Sequence, residues 1–141
     1  MSKTRIMLAT LALGATIALT GSAFAEKMKV TLDSKSEVPP NTSAGTGTAD
    51  VDYDAASKKL TWKLTYSGLS GPATAAHFHG PAEAGKNAGV KVPIPNATSS
   101  PAEGSATLTD EQAADLTAGK YYINVHTAAN PGGEIRGQVT K

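Results

Sequence analysis

The sequence predicts an all-β domain, an antiparallel sandwich or flattened barrel carrying one short helix. Roughly seven or eight short segments alternate apolar and polar residues, the two-residue period of a half-buried strand. Clusters of Gly, Pro, Asn and Ser separate them at the intervals of sandwiches and barrels. Only Thr109–Gly119 carries the start and stop signals of a helix.

The chain opens with Met1-Ser2-Lys3-Thr4-Arg5, an apolar run from Ile6 to Leu19, and Ala23-Phe24-Ala25 before the charged Glu26-Lys27. A basic start, a short apolar stretch and an A-x-A ending describe a secretory signal peptide over residues 1–25, cleaved after Ala25. Residues 26–141 are then one exported domain, periplasmic or secreted. No later segment approaches the roughly 18 apolar residues of a membrane span. Losing Lys3 and Arg5 with the leader leaves 11 basic against 12 acidic residues. With no basic block or stripe, nucleic acid is not an expected partner. Cysteine is absent, which excludes a disulfide framework, a thiolate metal site and a lipid anchor on cysteine.

Lys27–Leu32 alternates as a first strand, and a Pro/Asn/Ser/Gly-rich connection follows from Glu37 to Gly45. Thr46–Tyr53 reads as the second strand, with Ala49, Val51 and Tyr53 on one face. Leu60–Tyr66 is the clearest strand, and Leu60, Trp62, Leu64 and Tyr66 make it the hydrophobic centre. After the turn Ser67–Pro72 comes a strand containing Ala75-Ala76-His77-Phe78-His79. The stretch Gly80–Gly104 holds four prolines and reads as irregular, with Val90–Ile94 a short edge strand. Strand structure resumes at Ser105–Leu108. Thr109 fits an N-cap with Gln112 as its capping-box partner. Tyr121–His126 and Glu134–Val139 close the domain, with Glu134, Arg136 and Gln138 expected outward.

The chain has three histidines. His77 and His79 stand two apart and share one side of a strand, opposite Phe78. His126 lies on the face of Tyr122 and Asn124, opposite the apolar Tyr121, Ile123 and Val125. If the two strands meet, the three imidazoles converge outside the core as a metal site. Histidine-only ligation suits Cu(II) or Zn, and three protein ligands leave a position for water or substrate. The bland alternative is that each histidine hydrogen-bonds a neighbouring loop. Glu134 and Arg136 read as a solvated ion pair, worth little; Arg136 could instead hold a loop through its carbonyls, or attract anions. Asn124 is placed either to fix an imidazole tautomer or on an exposed ladder position. No Ser/His/Asp order, phosphate-cradling loop or carboxylate pair suggests a hydrolase.

At Ala76-His77-Phe78-His79-Gly80-Pro81, at Tyr122–Thr127 and at Pro131-Gly132-Gly133-Glu134-Ile135-Arg136-Gly137, the sequence resembles the CHRD domain family, named for chordin and common among exported bacterial proteins. The resemblance covers nearly all of the chain after residue 25 and implies a β-sandwich. A more distant resemblance, to copper/zinc superoxide dismutases, rests on the His-x-His strand, the later Val-His strand and the Gly-rich turn after it. It implies a Greek-key sandwich and one copper ion held by His77, His79 and His126, for copper handling or redox chemistry on a small oxidant. The departures are a missing fourth histidine, no cysteine pair, and Glu134 where the dismutase arginine would stand. A metal-free structural, adhesion or protein-interaction module is the other expectation.

Overall fold

The computed structural model describes residues 25–141; the expected signal peptide lies, but for Ala25, outside the described residues. Eight strands and one helix follow one another: β1 (Glu26–Asp33), β2 (Thr46–Asp54), β3 (Lys59–Ser67), β4 (Ala73–His79), β5 (Val90–Pro93), β6 (Ala102–Thr107), α1 (Asp110–Thr117), β7 (Tyr121–Thr127) and β8 (Ile135–Val139). Their hydrogen-bonded order is β5-β4-β7-β8-β1-β2-β3-β6, with antiparallel pairing throughout.

The row folds on itself. Between β8 and β1 the pairing is confined to Asp33 opposite Arg136, and there the two halves turn to face each other. Trp62 of β3 and Phe78 of β4 lie far apart along the row, yet their rings meet edge-on at 5.2 Å. Chain order crosses this sandwich repeatedly: β6 returns beside β3 and β7 beside β4, the connectivity of a Greek key. Gly137 is what lets β8 lie against β1, because a Cβ there would collide with the Thr31 carbonyl.

Period-two burial fills the core. Met28, Val30 and Leu32 of β1, Ala49, Val51 and Tyr53 of β2, and Leu60, Trp62 and Leu64 of β3 are all buried at alternate positions. The helix is capped as expected: the Thr109 hydroxyl accepts from the Gln112 amide at 3.2 Å, and the Gln112 side chain accepts from the Thr109 amide at 3.0 Å. Leu116 is its buried anchor.

Within Gly80–Gly104 the short edge strand expected at Val90–Ile94 is β5, and β6 begins at Ala102 rather than Ser105. The prolines obstruct neither, since Pro93 ends β5 on the outer rim of the row, where a missing N–H costs no ladder bond. The expectation that Glu134 and Arg136 face solvent is overturned, and Gln138 is half-buried. Glu134 and Arg136 are buried at 0% and 4% exposure, because connections from elsewhere in the chain lie over them.

Replacing Trp62 by Ala should cost about 3–5 kcal/mol, since the indole fills the gap between the two layers. Urea unfolding of the pure variant measures this, and a loss near zero would mean that the layers pack without it.

Candidate metal centre

Strands β4 and β7 pair so that His77 lies opposite Asn124, His79 opposite Tyr122, and Ala75 opposite His126. The side-chain alternation that sends Phe78, Ile123 and Val125 into the core therefore sends all three histidines to the other face of the same ribbon. There they converge. One ring nitrogen from each can be chosen so that all lie within 4.8 Å of one another. His77 and His126 are half-buried and His79 is buried.

Two of the rings are held from behind. His79 Nδ1 stands 2.9 Å from the Ala88 carbonyl, and His126 Nδ1 stands 2.8 Å from the Pro131 carbonyl. A carbonyl can only accept, so both Nδ1 atoms carry the proton and both Nε2 atoms present a lone pair. His77 Nδ1 lies 3.1 Å from His126 Nε2. Without an ion it donates to that lone pair; with one, moving the His77 proton to Nε2 frees Nδ1 as a third donor. The donor set fits a metal: two unprotonated Nε2 atoms and one Nδ1, with His79 and His126 oriented by the carbonyls behind them. His79 Nε2 is buried and has no hydrogen-bond partner, so its lone pair is unengaged.

A cover of loops lies over this face, and Arg136 secures it. Its Nε donates to Glu37 Oε2 at 3.2 Å, one terminal nitrogen donates to the Lys86 carbonyl at 3.0 Å, and the other to Asn87 Oδ1. The guanidinium also sits 3.9 Å from the centre of the Tyr122 ring. Tyr122 in turn stacks on His79, with centroids 4.9 Å apart and planes within 3°. The Tyr122 hydroxyl donates to the Ala88 carbonyl at 3.1 Å and accepts from the Ala88 amide at 3.0 Å. Ala88 thus clasps both rings.

Arg136 and Glu134 are not the expected ion pair with each other. Arg136 pairs with Glu37, while Glu134 accepts from the Ser70 amide and hydroxyl, from Thr127 and from Asn130. Of the roles open to Arg136, holding a loop through its carbonyls is the one observed. Asn124 is buried, not on an exposed ladder position. The sequence reading passed over Glu37, Tyr122 and Ala88. Only the two prolines after Val38 hint that the connection has a fixed shape, and no periodicity marks an acid inside one.

Burial lowers the His77 pKa, and charge on His126 or His79 would lower it further. Burial also lowers that of His79, with His126 and Arg136 adding to it against the Ala88 carbonyl. Both rings are therefore neutral and competent as ligands near pH 7. Burial raises Glu37 above the usual carboxylate range despite Arg136 beside it. Burial would likewise raise Glu134, but the donors from Ser70, Asn130 and Thr127 outweigh it and hold the carboxyl below that range.

The family model of the CHRD domain matches residues 28–139. No curated protein and no solved structure matches the chain.

Substituting Met for Arg136 should cost about 3–5 kcal/mol by leaving Glu37 buried and uncompensated. The double variant Arg136→Met/Glu37→Met should regain part of that loss in urea unfolding; a double variant no more stable than the single one would remove the ion pair from the account. Depressed histidine pKa values mean that below about pH 6.5 the unfolded chain binds more protons than the folded one. Stability of the metal-free protein tied to these rings is complete above that pH and declines as pH falls through their lowered values. The His77→Gln variant should show a shallower decline than wild type between about pH 6.5 and 5; parallel profiles would contradict the shift.

Proposed function

The chain belongs to the CHRD domain family, and from this premise we propose that it is an exported protein binding one copper ion through His77, His79 and His126. The observation that carries the reading is the convergence of three ring nitrogens, two of them bare Nε2 atoms whose Nδ1 protons are engaged by backbone carbonyls. A neutral three-imidazole set without thiolate suits copper or zinc. Export to the periplasm or beyond rests on the basic start, the apolar run and Ala23-Phe24-Ala25.

Two uses of the ion are open, copper handling and redox chemistry on a small oxidant such as superoxide. Bound copper would supply one-electron chemistry. The chain's own part is to fix the tautomers of His79 and His126 through the carbonyls of Ala88 and Pro131 and to wall His79 from water with Tyr122, Ala88 and the residues above them. A metal-free structural, adhesion or protein-interaction module is the second reading. The same ring contacts favour it, since each Nδ1 already has a partner without any ion.

Titration of the metal-free protein with Cu(I) and Cu(II) against a competing chelator separates the two. One equivalent should bind, with nitrogen coupling from about three imidazoles in the Cu(II) paramagnetic resonance spectrum. The His126→Ala variant should lose tight binding while still unfolding cooperatively. Copper held no more tightly than by the chelator, or a His126→Ala variant that unfolds while its metal content is unchanged, would leave the structural module. The redox use fails if the copper-loaded protein disproportionates superoxide no faster than free copper in the same buffer.

A further inference from the structure

The geometry points to Asn124 as a fourth donor, its side-chain oxygen completing a three-nitrogen, one-oxygen site that prefers a divalent ion to Cu(I). The inference rests on the metal-binding reading above and narrows it.

Asn124 lies directly across from His77 in the β4–β7 register and two residues before His126, so it shares the face of the three rings. Its orientation is set by its nitrogen. Nδ2 donates to the Gly132 carbonyl at 3.3 Å and faces the Glu37 carboxylate, whose ionised form it supports. Gly133, at φ +128°, makes room for this arrangement: a Cβ there would lie 2.6 Å from Asn124 Nδ2 and collide with Glu37. With the nitrogen committed on that side, Oδ1 turns the other way, and it too is buried without a hydrogen-bond partner.

His79 Nε2, on the same face of the ribbon, is buried and unpartnered as well, and so is Glu37 Oε1 on the Nδ2 side. Asn124 Oδ1 and His79 Nε2 are thus two buried acceptors on one face of the ribbon, neither with a donor. Leaving two such groups unsatisfied is costly, and a bound cation would satisfy both together with His77 and His126. A carbonyl-type oxygen is a hard donor, suited to divalent ions, whereas Cu(I) is a soft ion content with imidazoles alone. An oxygen in the fourth position also favours holding a divalent ion over leaving that position open to an oxidant.

The test compares Zn(II), Cu(II) and Cu(I) affinities of wild type, Asn124→Ala and Asn124→Asp, each set by competition with chelators of known affinity. Removing the oxygen should weaken both divalent ions about 10–100-fold and leave Cu(I) within about threefold. Asn124→Asp keeps an oxygen in place and adds charge, so it should hold the divalent ions at least as tightly as wild type with no gain for Cu(I). Equal weakening of all three ions in Asn124→Ala would assign Asn124 to orienting His79 only, and unchanged affinities would give it no role; either result overturns the inference. If Asn124→Ala does not unfold cooperatively, Asn124→Asp decides, and an equal change for divalent and monovalent ions overturns it. A wild-type protein that binds none of the three defeats the metal reading itself, whereas tight wild-type binding with no discrimination by these variants defeats the Asn124 assignment alone.

Discussion

The ion pair between Glu37 and Arg136 is the contact on which the outer half of this molecule depends. Both side chains are almost inaccessible, at 3% and 4% exposure, and burying two charges is costly unless their remaining hydrogen-bonding groups are met. Arg136 meets that condition by spreading its donors over a carboxylate, a backbone carbonyl and a side-chain amide, with its flat face against Tyr122. A planar, delocalised cation can do this where an ammonium cannot. Four pieces of chain are joined as a result: β8, the connection carrying Glu37, the segment Lys86–Ala88, and β7.

The histidines inherit their order from that junction. Asn87, held by Arg136, donates to the Val38 carbonyl at 3.0 Å, so the two covering connections are tied to each other as well as to β8. Ala88 follows immediately and fixes His79 and Tyr122. His126 is reached by a second route. Glu134 gathers Ser70, Thr127 and Asn130 around its carboxylate, its backbone carbonyl accepts from Asn41, and the turn that Asn130 closes presents the Pro131 carbonyl to His126 Nδ1. Rings fixed in this way have little orientational freedom left to lose when an ion arrives, the advantage that supporting shells confer on metal sites.

Strand β7 shows how such a site coexists with a small core. Tyr121, Ile123 and Val125 pack inward as the alternation requires, while Tyr122 and Asn124 on its other face are also buried. A strand with two buried faces is usually apolar on both. Here the second face is polar because its cover is made of loops, whose backbone groups need partners, and the polar side chains of β7 and β8 supply them. The protein has in effect a dry interior between its layers and a polar, hydrogen-bonded interior beneath its loops, and the three imidazoles lie at the border of the second.

The sequence by itself determined the all-β class, the strands and their inward faces, the capped helix, and the placing of His77, His79 and His126 away from the core on their own strands. Each of these is written in local spacing: a two-residue period, an N-cap with its partner three residues on, and histidines two apart. Only the tertiary structure paired the two histidine strands into one ribbon and decided what lies over it. Alternation reports which face of a strand meets the core and is silent about whether the other face meets water or a loop, so Glu134, Arg136 and Asn124 looked exposed or ambiguous. Glu37 and Arg136 are 99 positions apart, and no pattern within either segment encodes their meeting. It follows from the path of two connections across the sandwich, and with it came the partners that orient His79 and the burial of Asn124.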